Sequence, residues 1–134
     1  MTTSKVIYVG QLRTENTHLA SGRSFITDAP LDNHGLASAF SPTDIVATAL
    51  ADCMITVMAI KADAMSVELK GTTCEVTKVM ASSPRRIAEI HITMNLPVGV
   101  SEKHRKILEH TAKTCPVHHS LHPDTTVTCD FIWG

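Results

Sequence analysis

The order of strand-like and helix-like segments predicts an α+β fold. Three observations carry this reading: strand-like runs open the chain, one long apolar run occupies residues 41–65, and further strands, a polar amphipathic helix and a last strand follow. A doubly wound parallel sheet would alternate its elements more regularly. At 134 residues the chain can bury one core and is too short to make two ordinary domains the expectation, so a single domain over 1–134 is predicted.

"KVIYVGQLR" and "RSFITDAP" read as two strands joined by the polar "TENTHLASG", where Gly22 suits a turn. "LDNHGLASAF" is loop-like, and its Asp32, Asn33 and Gly35 suggest a surface or a subunit boundary. In "SPTDIVATALADCMITVMAIKADAM", Ser41 suits an N-cap, Pro42 the first helical position, and Asp44 completes a capping box. From Ile45 to Ile60 apolar residues fall on nearly every face, broken mainly by Thr48, Asp52 and Thr56, which predicts a central buried helix.

"SVELKGTTCEVTKVM" alternates like an exposed edge strand, and "RRIAEIHITMNLP" is a cleaner strand with an expected bulge near Glu89 to His91. "SEKHRKILEHTAKT" reads as an amphipathic helix capped by Ser101, with Ile107, Leu108 and Ala112 inward. "TTVTCDFIW" closes the chain as a strand with Val127, Cys129 and Phe131 on one side.

Lys plus Arg number 12 against 13 Asp plus Glu, a balance that argues against nucleic acid as a partner. No secretory segment is expected at the N-terminus, and no run of the ~18 apolar residues that span a bilayer, so a cytoplasmic, membrane-free protein with reduced cysteines is predicted. With only three Phe, one Tyr and one Trp, the core is expected to be completed by a second subunit.

The cysteines at 53, 74, 115 and 129 form no CxxC motif. Cys53 lies about three turns into the long helix, where a thiol either packs as a small hydrophobe or becomes a nucleophile if a cation arrives from elsewhere. Cys115 precedes Pro116; with Thr114 as cap it would occupy the first helical turn, where free amides favour a thiolate, or it would simply fill space there. Cys74 and Cys129 sit in strands and read as structural. His118 and His122, four apart and near Cys115, could share a helix face as metal ligands, but Pro123 ends any helix at once, and the plainer reading of His118, His119 and His122 is a polar surface.

"FSPTDIVATALADCM", "PRRIAEIHITM" and "CPVHHSL", in that order, resemble the OsmC/Ohr family of osmotically induced and organic-hydroperoxide-resistance proteins, in its general OsmC-like branch. The resemblance runs from the first hairpin to the closing strand. It implies an intertwined homodimer in which long central helices are packed against antiparallel sheets, with active sites at the subunit interface. It further implies reduction of organic hydroperoxides, and less readily hydrogen peroxide, by two cysteines with no metal or bound cofactor and with an external dithiol as reductant.

By this resemblance Cys53 is the attacking thiol and Cys115 the resolving one. The cation beside the attacking thiol would be Arg13 in "GQLRTEN", with Arg23 in "ASGRSF" as the competitor. Where the Ohr branch carries a glutamate that holds this arginine, "PTDI" offers Thr43 or Asp44, the latter already engaged by the predicted capping box. Met54, Val57 and Phe40 would line an apolar approach. The alternative is a non-catalytic dimer of the same fold that binds a small apolar ligand at its interface.

Overall fold

Two consecutive residues with positive φ, Gln11 at 54° and Leu12 at 61°, turn the first strand back on itself. Such a pair gives the twist that two-residue hairpin loops require. In the computed structural model, which describes all residues from Met1 to Gly134, the chain divides into two compact units, Met1–Val46 and Ala47–Gly134.

The first unit is a three-stranded antiparallel sheet of β1 (Ser4–Gly10), β2 (Arg13–His18) and β3 (Ser24–Asp28), in that spatial order. Here the structure corrects the sequence expectation: "RTENTH" is the middle strand, not a connection. Its polar side chains do not prevent pairing, because its backbone is satisfied on both edges by β1 and β3. The expected turn at Gly22 is present, with φ 74°. Both faces of this sheet carry exposed apolar side chains, among them Val6, Ile7, Tyr8, Val9, Phe25 and Ile26.

After β3 the chain makes a short 3-10 turn at Leu31–Asn33 and folds back tightly. Gly35 passes so close to Ala29 that an added Cβ would lie 1.7 Å from the Ala29 carbonyl oxygen. Helix α1 (Pro42–Ala64) then starts at the predicted capping box. The Asp44 amide donates to Ser41 Oγ at 3.1 Å, and the Ser41 amide donates to Asp44 Oδ2 at 3.0 Å.

In the second unit α1 buries one stripe, Ala47, Leu50, Ala51, Met54, Met58 and Ala62. The expectation of burial on every face is therefore not met within a single chain, where Ile60 remains 67% exposed. By length and composition α1 passes as a membrane-crossing helix, contrary to the sequence expectation, yet Leu50, Met54 and Met58 lie in a protein core.

That core is closed by a second sheet of β4 (Thr73–Ala81), β5 (Arg86–Leu96) and β6 (Thr126–Trp133). β4 is an edge strand, as expected, and β5 is central. The bulge falls at Ala88, skipped between the pairs Val79–Glu89 and Met80–Ile87, slightly before its expected place. β5 and β6 run parallel, so this sheet is mixed and not purely antiparallel. The reason is the long connection between them, which carries helices α2 (Glu102–Ala112) and α3 (Pro116–Ser120) and can return the chain in the same direction. Ser101 caps α2, and Leu108 and Ala112 join the core.

Ile92→Ala, which removes a side chain only 1% exposed, should lower unfolding free energy by about 2–5 kcal/mol. Ser41→Ala, which removes the cap acceptor, should cost about 1 kcal/mol. Urea midpoints at constant m-value measure both.

Candidate active site

Cys53 is carried by the fourth turn of α1 and is half-buried against the core stripe. Cys115 arrives from the other end of the second unit and is fully buried. The two thiols lie near enough for Cys53 to influence the Cys115 thiol, and both are free of a disulfide. Residues 62 positions apart in sequence are thus brought into a dithiol pair by the packing of α1 on the core that also receives α3.

Cys115 does not sit inside the first turn of α3 with Thr114 as its cap. It is the cap itself, with extended backbone and its Sγ accepting the His118 amide at 3.3 Å. Thr114 is unavailable for that task because its hydroxyl donates to the Thr111 carbonyl at the end of α2, at 2.7 Å. The expected lowering of the Cys115 thiol is also overturned. Burial is the largest influence and raises it, the His118 amide opposes this, and the neighbouring Cys53 adds a further upward push.

Cys74 and Cys129 stand in β4 and β6, with β5 between them, as the structural reading expects. Burial raises Cys74, with Asp52 adding to it. Cys129 is pushed up to about 12, chiefly by burial and then by Cys74 and nearby carboxylates. A cavity of about 200 Å³ lies beside this region, lined by Met54, Lys113, His118, Val127 and Cys129. Met54, only 2% exposed, belongs to the core and contributes to the lining of this cavity. Phe40, in the first unit, is exposed.

The histidines do not assemble as a donor set. The rings of His118 and His119 stack at 6.2 Å, while His122 Nδ1 accepts the Asp124 amide at 3.0 Å. No group of three or more His, Cys, Asp or Glu side chains converges to hold a metal ion.

In the first unit, Arg13 opens β2 and faces Asp28, its cross-strand partner at the end of β3. Arg13 Nε lies 3.6 Å from Asp28 Oδ2, with the carboxylate 1% exposed and the guanidinium side chain 29% exposed. The Ser38 amide and hydroxyl both donate to Asp28 Oδ2, at 3.0 and 2.5 Å. The Ser38 hydroxyl, then its amide, hold the Asp28 carboxyl below its ordinary value; burial opposes them and Arg13 assists. Arg23, by contrast, lies exposed at the turn, where its carbonyl accepts the His18 amide at 2.8 Å.

Asp44 serves the capping box, so the buried carboxylate beside Arg13 is Asp28, a residue that sequence reasoning missed. Its signal was present in "SFITDAP", where an acid ends an alternating strand. It could not be matched to Arg13 while β2 was read as a connection, because no cross-strand register then existed.

Residues 34–130 match the family described as OsmC-like protein. Among solved structures, a Psychrobacter arcticus protein, provisionally assigned as an osmotic stress induced and detoxification response protein, is 52% identical. Its TM-score is 0.94, and the match covers 98% of this chain and 96% of that one. An organic hydroperoxide resistance protein of Elizabethkingia anophelis is 14% identical at a TM-score of 0.76, over 100% of this chain and 98% of that one. One of Legionella pneumophila, named OsmC, is 13% identical at 0.72, over 98% of each chain. At such low identity these last two share the fold. No curated protein matches the chain significantly in sequence.

A carboxyl whose folded value is lowered stabilises the protein above its unfolded value, and that contribution is lost as pH falls through the folded value. Wild-type urea midpoints should therefore fall on acidification below about pH 4, with Asp28→Asn showing a shallower decline. At pH 8, Cys115 and Cys129 should resist iodoacetamide in the native protein and react once it is unfolded, as mass spectrometry of digests will show.

Proposed function

Because the chain belongs to the OsmC-like protein family, we propose that it is a thiol-dependent peroxidase reducing organic hydroperoxides to alcohols, and hydrogen peroxide to water, through Cys53 and Cys115. The observation that supports this reading is the proximity of two cysteines free of a disulfide, Cys53 half-buried and Cys115 fully buried.

The Cys53 thiolate attacks the distal peroxide oxygen, the O–O bond breaks, and the alkoxide leaves as alcohol after taking a proton. Cys53 is oxidised to the sulfenic acid. Cys115 then attacks the Cys53 sulfur, its proton departs with the sulfenic oxygen as water, and the Cys53–Cys115 disulfide forms. An external dithiol reduces that disulfide by exchange and is itself oxidised. Burial keeps the Cys115 thiol protonated at rest, which leaves the first attack on peroxide to Cys53.

Arg13 supplies the cation that favours the Cys53 thiolate and orients the peroxide; its guanidinium, beside a buried carboxylate, supports it over Arg23. Asp44 fixes the start of the helix that carries Cys53. The protein works as an intertwined homodimer in the cytoplasm, without resident cofactor, metal, nucleic acid or membrane. The apolar side chains on both faces of the β1–β3 sheet and the exposed Ile60 on α1 support a second copy as their cover.

The non-catalytic alternative, a dimer holding a small apolar ligand, draws less support. The cavity beside Met54 measures only about 200 Å³ and carries Lys113 and His118 in its lining.

Cys53→Ser should reduce dithiothreitol-dependent consumption of cumene hydroperoxide to the uncatalysed background; a rate equal to wild type would remove Cys53 from the mechanism. Cys115→Ser should complete one turnover and accumulate a dimedone-reactive sulfenic acid at Cys53, measured by mass spectrometry. Sedimentation equilibrium should return twice the chain mass.

A further inference from the structure

We propose that α3 is a redox-responsive latch: forming the Cys53–Cys115 bond withdraws the sulfur that caps this helix, frees its first turn and opens Cys115 to the external dithiol. The inference rests on the peroxidase reading, which supplies the oxidant, and it gives a task to a five-residue helix that the reaction scheme leaves unused.

The cap of α3 is a sulfur. Cys115 Sγ accepts the His118 amide at 3.3 Å, where Ser, Thr, Asp or Asn would ordinarily present an oxygen. Sulfur is a weak acceptor, so this bond lasts only while the side chain stays in place. Little else fastens the helix. None of its five residues is fully buried, and its first turn is otherwise closed by the His119 amide on the Cys115 carbonyl at 3.2 Å and the Ser120 hydroxyl on the Pro116 carbonyl at 2.8 Å.

The two cysteines stand on unequal supports. Helix α1 runs 23 residues and sinks six of them in the core, including Met54 beside Cys53. Joining the sulfurs requires at least one of them to move, because a covalent bond is much shorter than any contact between unbonded atoms. The element with less packing yields, and that element is α3. Its flanks are tied down: the Thr114 hydroxyl holds the Thr111 carbonyl at 2.7 Å, and the Thr125 hydroxyl holds the Ile87 carbonyl of β5 at 3.1 Å. The rearrangement is therefore confined to the segment between Thr114 and Thr125.

In the reduced protein Cys115 is 0% exposed, out of reach of an external thiol. Once the first turn of α3 loosens, a thiolate of the dithiol attacks the Cys115 sulfur, the S–S bond breaks, and the electron pair leaves with Cys53 as its thiolate. The second thiol of the reductant loses its proton and attacks the reductant's own sulfur, which becomes part of an internal disulfide; Cys115 is expelled and takes up a proton. Its sulfur then returns beneath the His118 amide, and the latch closes with the cycle.

The test follows amide hydrogen exchange by NMR in the full chain, reduced with a phosphine and again after one equivalent of cumene hydroperoxide, with the Cys53–Cys115 bond verified by peptide mass. Cys53→Ser, treated alike, cannot form the bond. In the oxidised wild type the His118 amide should exchange about fivefold faster, the change expected for loss of one helix cap, while amides of α2 and β5 keep their rates. Cys53→Ser should show no acceleration. Glutathione, a monothiol, followed by iodoacetamide should leave the glutathionyl group on Cys115 and the carbamidomethyl group on Cys53.

Unchanged or slower His118 exchange in protein that carries the bond overturns the proposal and leaves the peroxidase reading intact, as does a glutathionyl group mapped to Cys53. If peroxide forms no bond, the peroxidase reading fails, and diamide, which joins thiols without a sulfenic acid, tests the latch separately. The same acceleration after diamide sustains it; no acceleration, or no Cys53–Cys115 bond even then, overturns it.

Discussion

The burial of one stripe of α1 among residues of the second sheet organises the larger unit. Leu50, Met54 and Met58 enter one core with Ile90, Ile92 and Met94, and that core also receives Leu108, Ala112 and Cys115. Because Cys53 immediately precedes Met54 on the helix, fixing the stripe fixes the edge on which its sulfur lies. The dithiol pair is thus a by-product of hydrophobic packing, and its geometry is only as firm as that packing.

Burial also decides the electrostatics. At Cys115 the amide of a five-residue helix donates to the sulfur, yet loss of water outweighs it. At Asp28 the balance is reversed, since two donors from Ser38 compensate the carboxylate well enough to keep it below its ordinary value despite burial. A sulfur with only neutral amide donors and a carboxylate with two donors and a cation respond differently to similar seclusion.

Much of the architecture was legible because the responsible signals were local. The capping box needs only Ser41 and Asp44, the edge character of β4 only its alternation, and the α2 start only Ser101. What was illegible depended on partners distant in sequence. "RTENTH" reads as a connection until both neighbouring strands are in place, and the cap of α3 shifts to Cys115 because Thr114 is drawn back to α2. The pairing of Asp28 with Arg13 required the length of the hairpin loops, which two non-glycine residues at positive φ conceal. The roles of the two cysteines, and Arg13 itself, came through family resemblance, since a thiol in an apolar helix looks inert by itself.

Gly35 gives the loop after β3 an unusual mutational profile. Its neighbours Leu31, Asn33 and Leu36 are exposed, so a randomised library should accept many side chains at those positions. At position 35 itself even one methyl group would run into the Ala29 main chain. The constraint at this position is steric and would be mistaken for a ligand contact if conservation were read without coordinates.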